Sequence, residues 1–173
     1  MIIRKATIND IDGITAIYNA IHAEEERGAA TTGWVKTIYP TEETARLSIQ
    51  NGDMYVAVES DAVVAAAIIN QQQLSEYAKA KWKYNVSEQN VMVLHTLVVS
   101  PAAMGMGLGR KFVAFYEDYA LKHQCHYLRM DTNAKNTVAR SLYKKLGYTE
   151  VDIVPCFFNG IEGVDLVCLE KKI

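Results

Sequence analysis

A glycine-rich turn joins a β-strand pattern to a helical pattern near the middle of this 173-residue chain. Residues 91–99 form an apolar, β-rich run, and residues 108–122 repeat large apolar side chains at helical spacing. Between these segments, glycines alternate with large apolar residues over residues 105–109. A second strand pattern follows at residues 126–130. The sequence therefore predicts a β-α-β unit with parallel strands, which indicates an α/β fold.

The rest of the chain predicts further strands and helices on either side of this unit. The overall order is β-α-α-β-β-β-α-β-α-β-β, with a loop at residues 29–40 and a polar excursion containing some helix at residues 71–90. No repeat or linker interrupts the pattern, so we expect one domain spanning residues 1–173. The additional strands are predicted at residues 1–6, 54–59, 62–69, 148–154 and 164–170, and the additional helices at residues 8–28, 41–51 and 138–146.

Charge and composition exclude several classes of protein. The net charge is −2 and the isoelectric point is near 6.1, so no general basic field is present to hold nucleic acid. No apolar run approaches the roughly 18 residues of a membrane span, and the N-terminus lacks the layout of a signal peptide. Cys125, Cys156 and Cys168 are odd in number and irregularly spaced, which suits a reducing compartment. We therefore expect a cytoplasmic protein with neither nucleic acid nor membrane as a partner.

The glycine-rich turn can bind a phosphate group. Glycine lets an anion approach the backbone closely, and the first N–H groups of the following helix are unpaired donors at the positive end of its dipole. Arg110 and Lys111 add cations beside it. The G-x-G-x-G pattern alone is equally compatible with a flexible connection. A P-loop is disfavoured because no Lys-Ser/Thr pair follows the last glycine, and the late position in the chain disfavours a six-stranded dinucleotide fold.

Two motifs in this order resemble the GCN5-related N-acetyltransferase (GNAT) family. The first is similar to its Q/R-x-x-G-x-G/A signature, with methionine in place of the polar first residue, and comprises Met104-Gly105-Met106-Gly107-Leu108-Gly109. The second is similar to N-x-x-A-x-x-L-Y-x-K-x-G-F and comprises Asn136-x-x-Ala139-x-x-Leu142-Tyr143-x-Lys145-x-Gly147-Tyr148. This resemblance covers nearly the whole chain. It implies a mixed sheet of about seven strands with about four helices, splayed around strands 4 and 5.

The resemblance also implies an acetyl-coenzyme A site. The backbone of Leu97, Val98 and Val99 is expected to pair with the pantetheine arm, Asn136 to hydrogen-bond it, and Tyr143 to lie near the thioester sulfur. Asn136 is equally suited to cap the following helix. The pyrophosphate is expected to contact Met104, Gly105, Met106, Gly107, Leu108, Gly109 and Arg110.

Tyr143 and His95 are the candidate catalytic residues. A phenol with a pKa near 10 is protonated at neutral pH, so Tyr143 can donate a proton to a departing thiolate. An alkylamine must lose its proton before attack, and His95, at the splayed strand, is the candidate base. The alternatives are a tyrosine packed in the core and a strand histidine with a structural role.

Other polar and aromatic clusters carry weaker signals. The spacing in His123-x-Cys125-His126 matches no common zinc pattern, so we predict no metal. Residues 24–26 are three glutamates that can attract a cationic acceptor, although such runs are usually solvated faces. Four aromatic residues lie in segments that tend to form the wall of the acceptor pocket in this family, namely Trp34, Tyr77, Trp82 and Tyr84.

The resulting functional prediction is an N-acetyltransferase in which a small-molecule amine attacks bound acetyl-CoA directly in a ternary complex. Two alternatives stay open. One is an acetyl-CoA-binding sensor or interaction module without acceptor chemistry, and the other is a protein-lysine or ribosomal-protein acetyltransferase. We expect a homodimer.

Overall fold

The computed structural model describes all residues from Met1 to Ile173 and contains seven strands and four α-helices. None of the helices has both the length and the apolar character that crossing a membrane requires. The strands are β1 (Ile2–Lys5), β2 (Met54–Glu59), β3 (Ala62–Asn70), β4 (Val91–Val99), β5 (Tyr127–Asn133), β6 (Thr149–Phe158) and β7 (Ile161–Lys172). The helices are α1 (Ile11–Glu26), α2 (Glu42–Gln50), α3 (Leu108–Lys122) and α4 (Thr137–Lys145).

All seven strands form one mixed sheet in the order β1-β2-β3-β4-β5-β7-β6. Every neighbouring pair is antiparallel except β4 and β5, which are joined through α3 and run parallel. Their pairing begins at Val91 opposite Tyr127 and ends at Leu94 opposite Met130. Beyond that point the two strands separate, while β4 continues beside β3 and β5 beside β7. The predicted fold class and the predicted splay at strands 4 and 5 are both confirmed.

Apolar side chains cover both faces of this sheet. Residues alternate between faces along each strand, so Tyr55 packs with the α3 side whereas Val56 packs with α1 and α2. The α3 side is centred on Phe112 and Tyr116, which are fully buried. A third cluster forms where residues 71–90 cover the far end of the sheet through Tyr77. Burial on both faces explains why the central strands lack strict polar alternation.

The last two strands extend beyond the predicted residues 148–154 and 164–170. They meet at a two-residue turn in which Asn159 and Gly160 both have positive φ, the geometry of a tight hairpin. Pro155 is tolerated because β6 is an edge strand. Proline and glycine weakened the strand pattern here, and the hairpin pairing overrides that local preference.

An internal ion pair anchors the excursion at residues 71–90. Its helical content is limited to 3-10 turns at Ser75–Lys79 and Glu88–Asn90. Arg129 on β5 contacts Glu170 on β7, and both side chains are buried. Glu170 also accepts from the backbone N–H groups of Lys83 and Tyr84 at 3.0 and 3.3 Å. The sheet therefore holds this polar segment by hydrogen bonds to its backbone.

Candidate functional site

The separation of β4 from β5 exposes one edge of β4. Val98 and Val99 pair with Ala66 and Ala65 of β3, but no strand pairs with their other side. A bulge precedes this stretch, where Thr96 has a φ of 51° and the register with β3 shifts. The backbone of residues 97–99 is thus available to an extended ligand that adds to the sheet as a strand would.

The glycine-rich turn ends at the N-terminus of α3. Gly105 and Gly107 have φ values of 82° and 72°, and a Cβ at either position would meet open space. The backbone N–H groups of residues 107–110 donate to no protein acceptor, as expected for the first turn of a helix. Gly109 differs, because a Cβ there would lie 3.1 Å from Leu142 of α4. Two glycines therefore shape a potential anion site, and the third allows α3 and α4 to pack closely.

Side chains around this turn divide into exposed and buried sets. Met104 and Met106 are 65% and 53% exposed, and Arg110 is exposed without an ion-pair partner. Leu108 and Val98 are buried in the core, so only their backbone groups can face a ligand. Of the predicted cofactor residues, these two can contribute backbone contacts alone.

A cavity of about 270 Å³ opens at the separation of the strands. His95, Leu97, Asn136 and Tyr143 line it, so the structure brings together four residues proposed from the sequence. The turn at residues 104–110 lies outside the cavity. Further wall residues come from β3 and the segment after it, from the loop between α1 and α2, from α2, and from the β6–β7 hairpin, including Asn70, Leu74, Trp34, Tyr39, Thr44, Ser48, Phe158 and Ile161.

Tyr143 is buried, but its hydroxyl faces the cavity and bonds to no protein atom. Burial, together with the nearby charge of Asp131, raises the pKa of Tyr143 above its ordinary value. The phenol therefore stays protonated throughout the physiological range. A protonated hydroxyl free to donate into the cavity is the state that a general acid requires.

Asn136 caps α4 and also lines the cavity. Its Oδ1 accepts from the backbone N–H of Ala139 at 3.1 Å, which is the N-cap arrangement that the sequence left open. Its amide nitrogen donates to no protein group. The cap fixes the orientation of the side chain and leaves the Nδ2 donor available to a ligand.

His95 is held in one tautomer by a chain of hydrogen bonds. Asn70 donates through Nδ2 to Asp53 at 3.0 Å, so its Oδ1 accepts from His95 Nε2 at 3.0 Å. The Nδ1 lone pair is thereby left as the basic site of the ring. Burial lowers the pKa of His95 to about 4, against a smaller raising effect from the backbone of Gln72. The imidazole is accordingly neutral at physiological pH.

Asp131 is a cavity residue that the sequence interpretation missed. It lies one residue beyond the last β4–β5 pair, on the opposite side of the opening from His95. Tyr77 donates a hydrogen bond to its Oδ2 at 2.7 Å. The available signal was an aspartate directly after Met130 within β5, which becomes informative only when the β4–β5 register is known.

One of the four aromatic residues expected around the acceptor lines this cavity. Trp34 lines the cavity, and its ring packs edge-on against Tyr39 at 6.1 Å. Tyr77, Trp82 and Tyr84 do not line it, because they pack between residues 71–90 and the sheet. Tyr77 nevertheless contacts the site through Asp131.

Two hydrogen-bonded contacts hold the cavity loop, residues 32–39. Glu25 accepts from the backbone N–H groups of Thr32 and Gly33 at 2.8 and 2.9 Å, so the glutamate run contributes a loop contact. Tyr39 hydrogen-bonds Thr96 at the bulge. No group of three or more His, Cys, Asp or Glu side chains is arranged to hold a metal ion.

A sheet that opens between parallel strands, beside a helix N-terminus with free N–H groups, can hold an extended ligand that carries a phosphate group. The chain matches the Acetyltransferase (GNAT) family over residues 15–148 and belongs to that family. It is therefore an acetyl-CoA-dependent N-acetyltransferase by class.

Individual relatives agree with this assignment. An uncharacterized N-acetyltransferase of Methanocaldococcus jannaschii is 24% identical over 99% of this chain and 92% of its own. A GNAT-family acetyltransferase structure from Streptococcus agalactiae has a TM-score of 0.84 and 23% identity, covering 99% of this chain and 95% of that one. The yncA structure from Salmonella typhimurium, solved with acetyl-CoA, has a TM-score of 0.69 and 20% identity over 99% and 93% of the two chains.

Proposed function

We propose that this protein transfers the acetyl group of acetyl-CoA to the primary amine of a small molecule by direct attack in a ternary complex. The observation that carries this proposal is the cavity in which His95, Tyr143 and the free edge of β4 meet. Its volume of about 270 Å³ lies near the lower end of the usual range for small-ligand pockets. A pocket of this size supports a small acceptor over a folded protein substrate.

The residues around the opening fit coenzyme A. Backbone groups of residues 97–99 are free to pair with an extended pantetheine arm, and Asn136 retains an unused amide donor. The N–H groups of residues 107–110 and the unpaired Arg110 suit a pyrophosphate. When bound there, acetyl-CoA supplies the thioester carbonyl that the acceptor attacks.

Tyr143 is the proposed general acid. Its hydroxyl is protonated at physiological pH and faces the cavity without a competing protein acceptor. It can therefore give its proton to the sulfur as the thiolate leaves. A thiolate with a conjugate pKa near 8.5 is already a tolerable leaving group, so the expected contribution is moderate.

His95 is the proposed base. Holding an alkylamine of pKa near 10.4 neutral at pH 7 costs roughly 4–5 kcal/mol, and the amine must lose its proton in the course of the reaction. The hydrogen bond to Asn70 leaves Nδ1 of His95 as the acceptor. Burial keeps this ring neutral and also makes it a weak base, so its lone pair would take the proton, directly or through one water molecule, as attack on the thioester makes the amine nitrogen more acidic.

An acetyl-CoA turnover assay tests the proposal. Released thiol is measured across polyamines, aralkylamines, aminoglycosides, amino acids and lysine peptides, and coenzyme A binding is followed by calorimetry. Turnover with a small amine supports the proposal, whereas turnover restricted to peptides favours a protein acetyltransferase. Binding of acetyl-CoA without turnover of any acceptor favours the sensor alternative.

A further inference from the structure

Asp131 and His95 face each other across the separated strands. Leu94 and Met130, the last pair joining β4 to β5, both pack in the cluster on the α3 side of the sheet. The next residue on each strand points to the opposite face, because side chains alternate. His95 and Asp131 therefore both enter the cavity, from its two sides.

The Asp131 carboxylate has one neutral partner and no cationic one. Tyr77 donates to Oδ2, while Oδ1 makes no hydrogen bond with the protein and is accessible from the cavity. Burial raises the pKa of Asp131 to about 6, and the Tyr77 hydroxyl partly opposes that increase. Removing a carboxylate from water without a cation costs free energy, and such groups concentrate at binding and catalytic sites.

The rest of the cavity wall also lacks a positively charged side chain. Its wall contains two carboxylates, Asp53 and Asp131, and neither lysine nor arginine. Asp53 is engaged by the amide of Asn70, and His95 is neutral, so Asp131 offers the free negative charge. Apolar side chains form much of the remaining surface, including Trp34, Leu74, Phe158, Ile161 and Val164.

A cation with an apolar body complements this wall. Its ammonium group would gain a charge-assisted hydrogen bond from the free carboxylate oxygen, and its body would displace water from the apolar side chains. A carboxylate on the acceptor would find no cation to pair with and would face Asp131 as a like charge. The wall therefore discriminates between an amine and the corresponding α-amino acid.

We propose that Asp131 binds the ammonium group of the acceptor, and that the acceptor is a small amine with an apolar body and no carboxylate. This inference rests on the proposed acetyl transfer and names its substrate class. In this proposal Asp131 is a residue that binds and orients the amine. The other titratable groups near Asp131 come from six parts of the chain. They are Tyr77 and Glu76 from residues 71–90, Cys156 on β6, Cys168 on β7, Tyr39 in the cavity loop, Tyr143 on α4 and His95 on β4.

Matched substrate pairs test the substrate class. Phenethylamine is compared with phenylalanine, tryptamine with tryptophan, and 1,4-diaminobutane with ornithine, since each pair differs only by a carboxylate. We expect kcat/KM to favour the amine without a carboxylate by at least about tenfold wherever a pair is turned over. Preference for the amino acid would overturn the inference while leaving acetyl transfer itself intact.

Asp131→Asn tests the residue. The amide still accepts from Tyr77 but carries no charge, so we expect the KM of the amine to rise roughly 10- to 100-fold while the KM of acetyl-CoA stays unchanged. Asp118→Asn is the control, because it removes the same charge from an exposed position on α3 outside the cavity. An unchanged amine KM in Asp131→Asn would contradict the assignment.

Two further measurements keep the inference separate from the proposed function. Calorimetry of phenethylamine with the coenzyme A-bound protein reports binding without turnover, and binding lost in Asp131→Asn supports the inference even if acetyl transfer fails. Absence of amine binding to the wild-type protein would overturn it. Tyr77→Phe removes the hydrogen-bond donor that lowers the pKa of Asp131, so the acidic limb of the pH profile of kcat/KM should move to higher pH. An acidic limb at the wild-type position would contradict the role of Asp131.

Discussion

Tyr143 illustrates how one side chain serves both the core and the site. Its ring packs in the cluster on the α3 side, and its hydroxyl faces the cavity. Tyr143→Phe keeps the ring and removes the proton donor, so we expect kcat to fall about 10- to 100-fold with little change in the KM of acetyl-CoA. Tyr84→Phe is the control, since Tyr84 packs against Tyr127 away from the cavity. An unchanged single-turnover rate in Tyr143→Phe would remove this residue from the mechanism.

His95 has a distinct kinetic signature. Its lowered pKa means that the ring is neutral above about pH 5, so loss of the base should lower kcat/KM throughout the neutral range. We expect His95→Gln to reduce kcat/KM by at least about tenfold from pH 6 to 8, and the loss to shrink as rising pH deprotonates the amine. A pH profile of His95→Gln that superimposes on the wild-type profile would contradict the assignment.

The charged Asp131 carboxylate should lower the free energy of unfolding at neutral pH. Its pKa is about 6 when folded and about 4 when unfolded, so between these values the folded state binds more protons and stability falls as pH rises. We therefore expect Asp131→Asn to raise Tm by roughly 2 to 6 °C at pH 7.5, with a smaller gain at pH 4.5. Thermal unfolding at the two pH values checks this, and a lower Tm at pH 7.5 would contradict it.

The residues of the site were unequally predictable. Asn136 and Tyr143 belong to a motif whose spacing is fixed by one helix, so the chain order alone identified them as neighbours. Asn70 ends β3 and Asp131 lies near the end of β5, and whether they line one cavity with His95 depends on where β4 and β5 separate. Separation of strands is a tertiary property, and local pattern does not encode it.

At the scale of elements, the glycine-rich turn offers a comparison of two equivalent glycines. Gly107 and Gly28 have φ values of 72° and 73°, and a Cβ at either would meet open space. Alanine at each should therefore destabilise the protein by a similar roughly 1–2 kcal/mol of backbone strain. Only Gly107→Ala brings a methyl group to the proposed phosphate site, so we expect its affinity for coenzyme A to fall at least about tenfold. Equal coenzyme A affinities by calorimetry would contradict a phosphate site at this turn.

Two arginine–glutamate ion pairs, one within the sheet and one beside it, differ in burial. Their contributions to the free energy of unfolding should therefore differ. Arg129 and Glu170 are buried, whereas Arg140 and Glu150 form a bidentate pair at the surface. Arg129→Met leaves the buried Glu170 carboxylate without its cation, with only backbone N–H donors, and should cost about 3–5 kcal/mol in urea unfolding. Arg140→Met should cost about 1 kcal/mol or less. Similar losses in the two variants would show that Arg129 does not anchor residues 71–90.

For the molecule as a whole, the order and type of its elements could be predicted, because hydrophobic periodicity and turn residues are local. The ends of β6 and β7 could not, since their pairing extends through Pro155 and Gly163 against local preference. The excursion at residues 71–90 was the least predictable segment, because Glu170 and Arg129 hold it through contacts distant in sequence. The proposed acceptor class rests on cavity residues that come from many segments of the chain, so no single segment of the sequence predicts it.

Acetylation of an amine in this cavity is the central claim. The most direct test incubates the protein with acetyl-CoA and phenethylamine, and measures both released thiol and N-acetylated amine by mass spectrometry. Equal amounts of the two products, each dependent on the amine and reduced in Tyr143→Phe, are predicted. Thiol release without acetylated amine across the whole amine panel would show that the protein does not catalyse the proposed transfer.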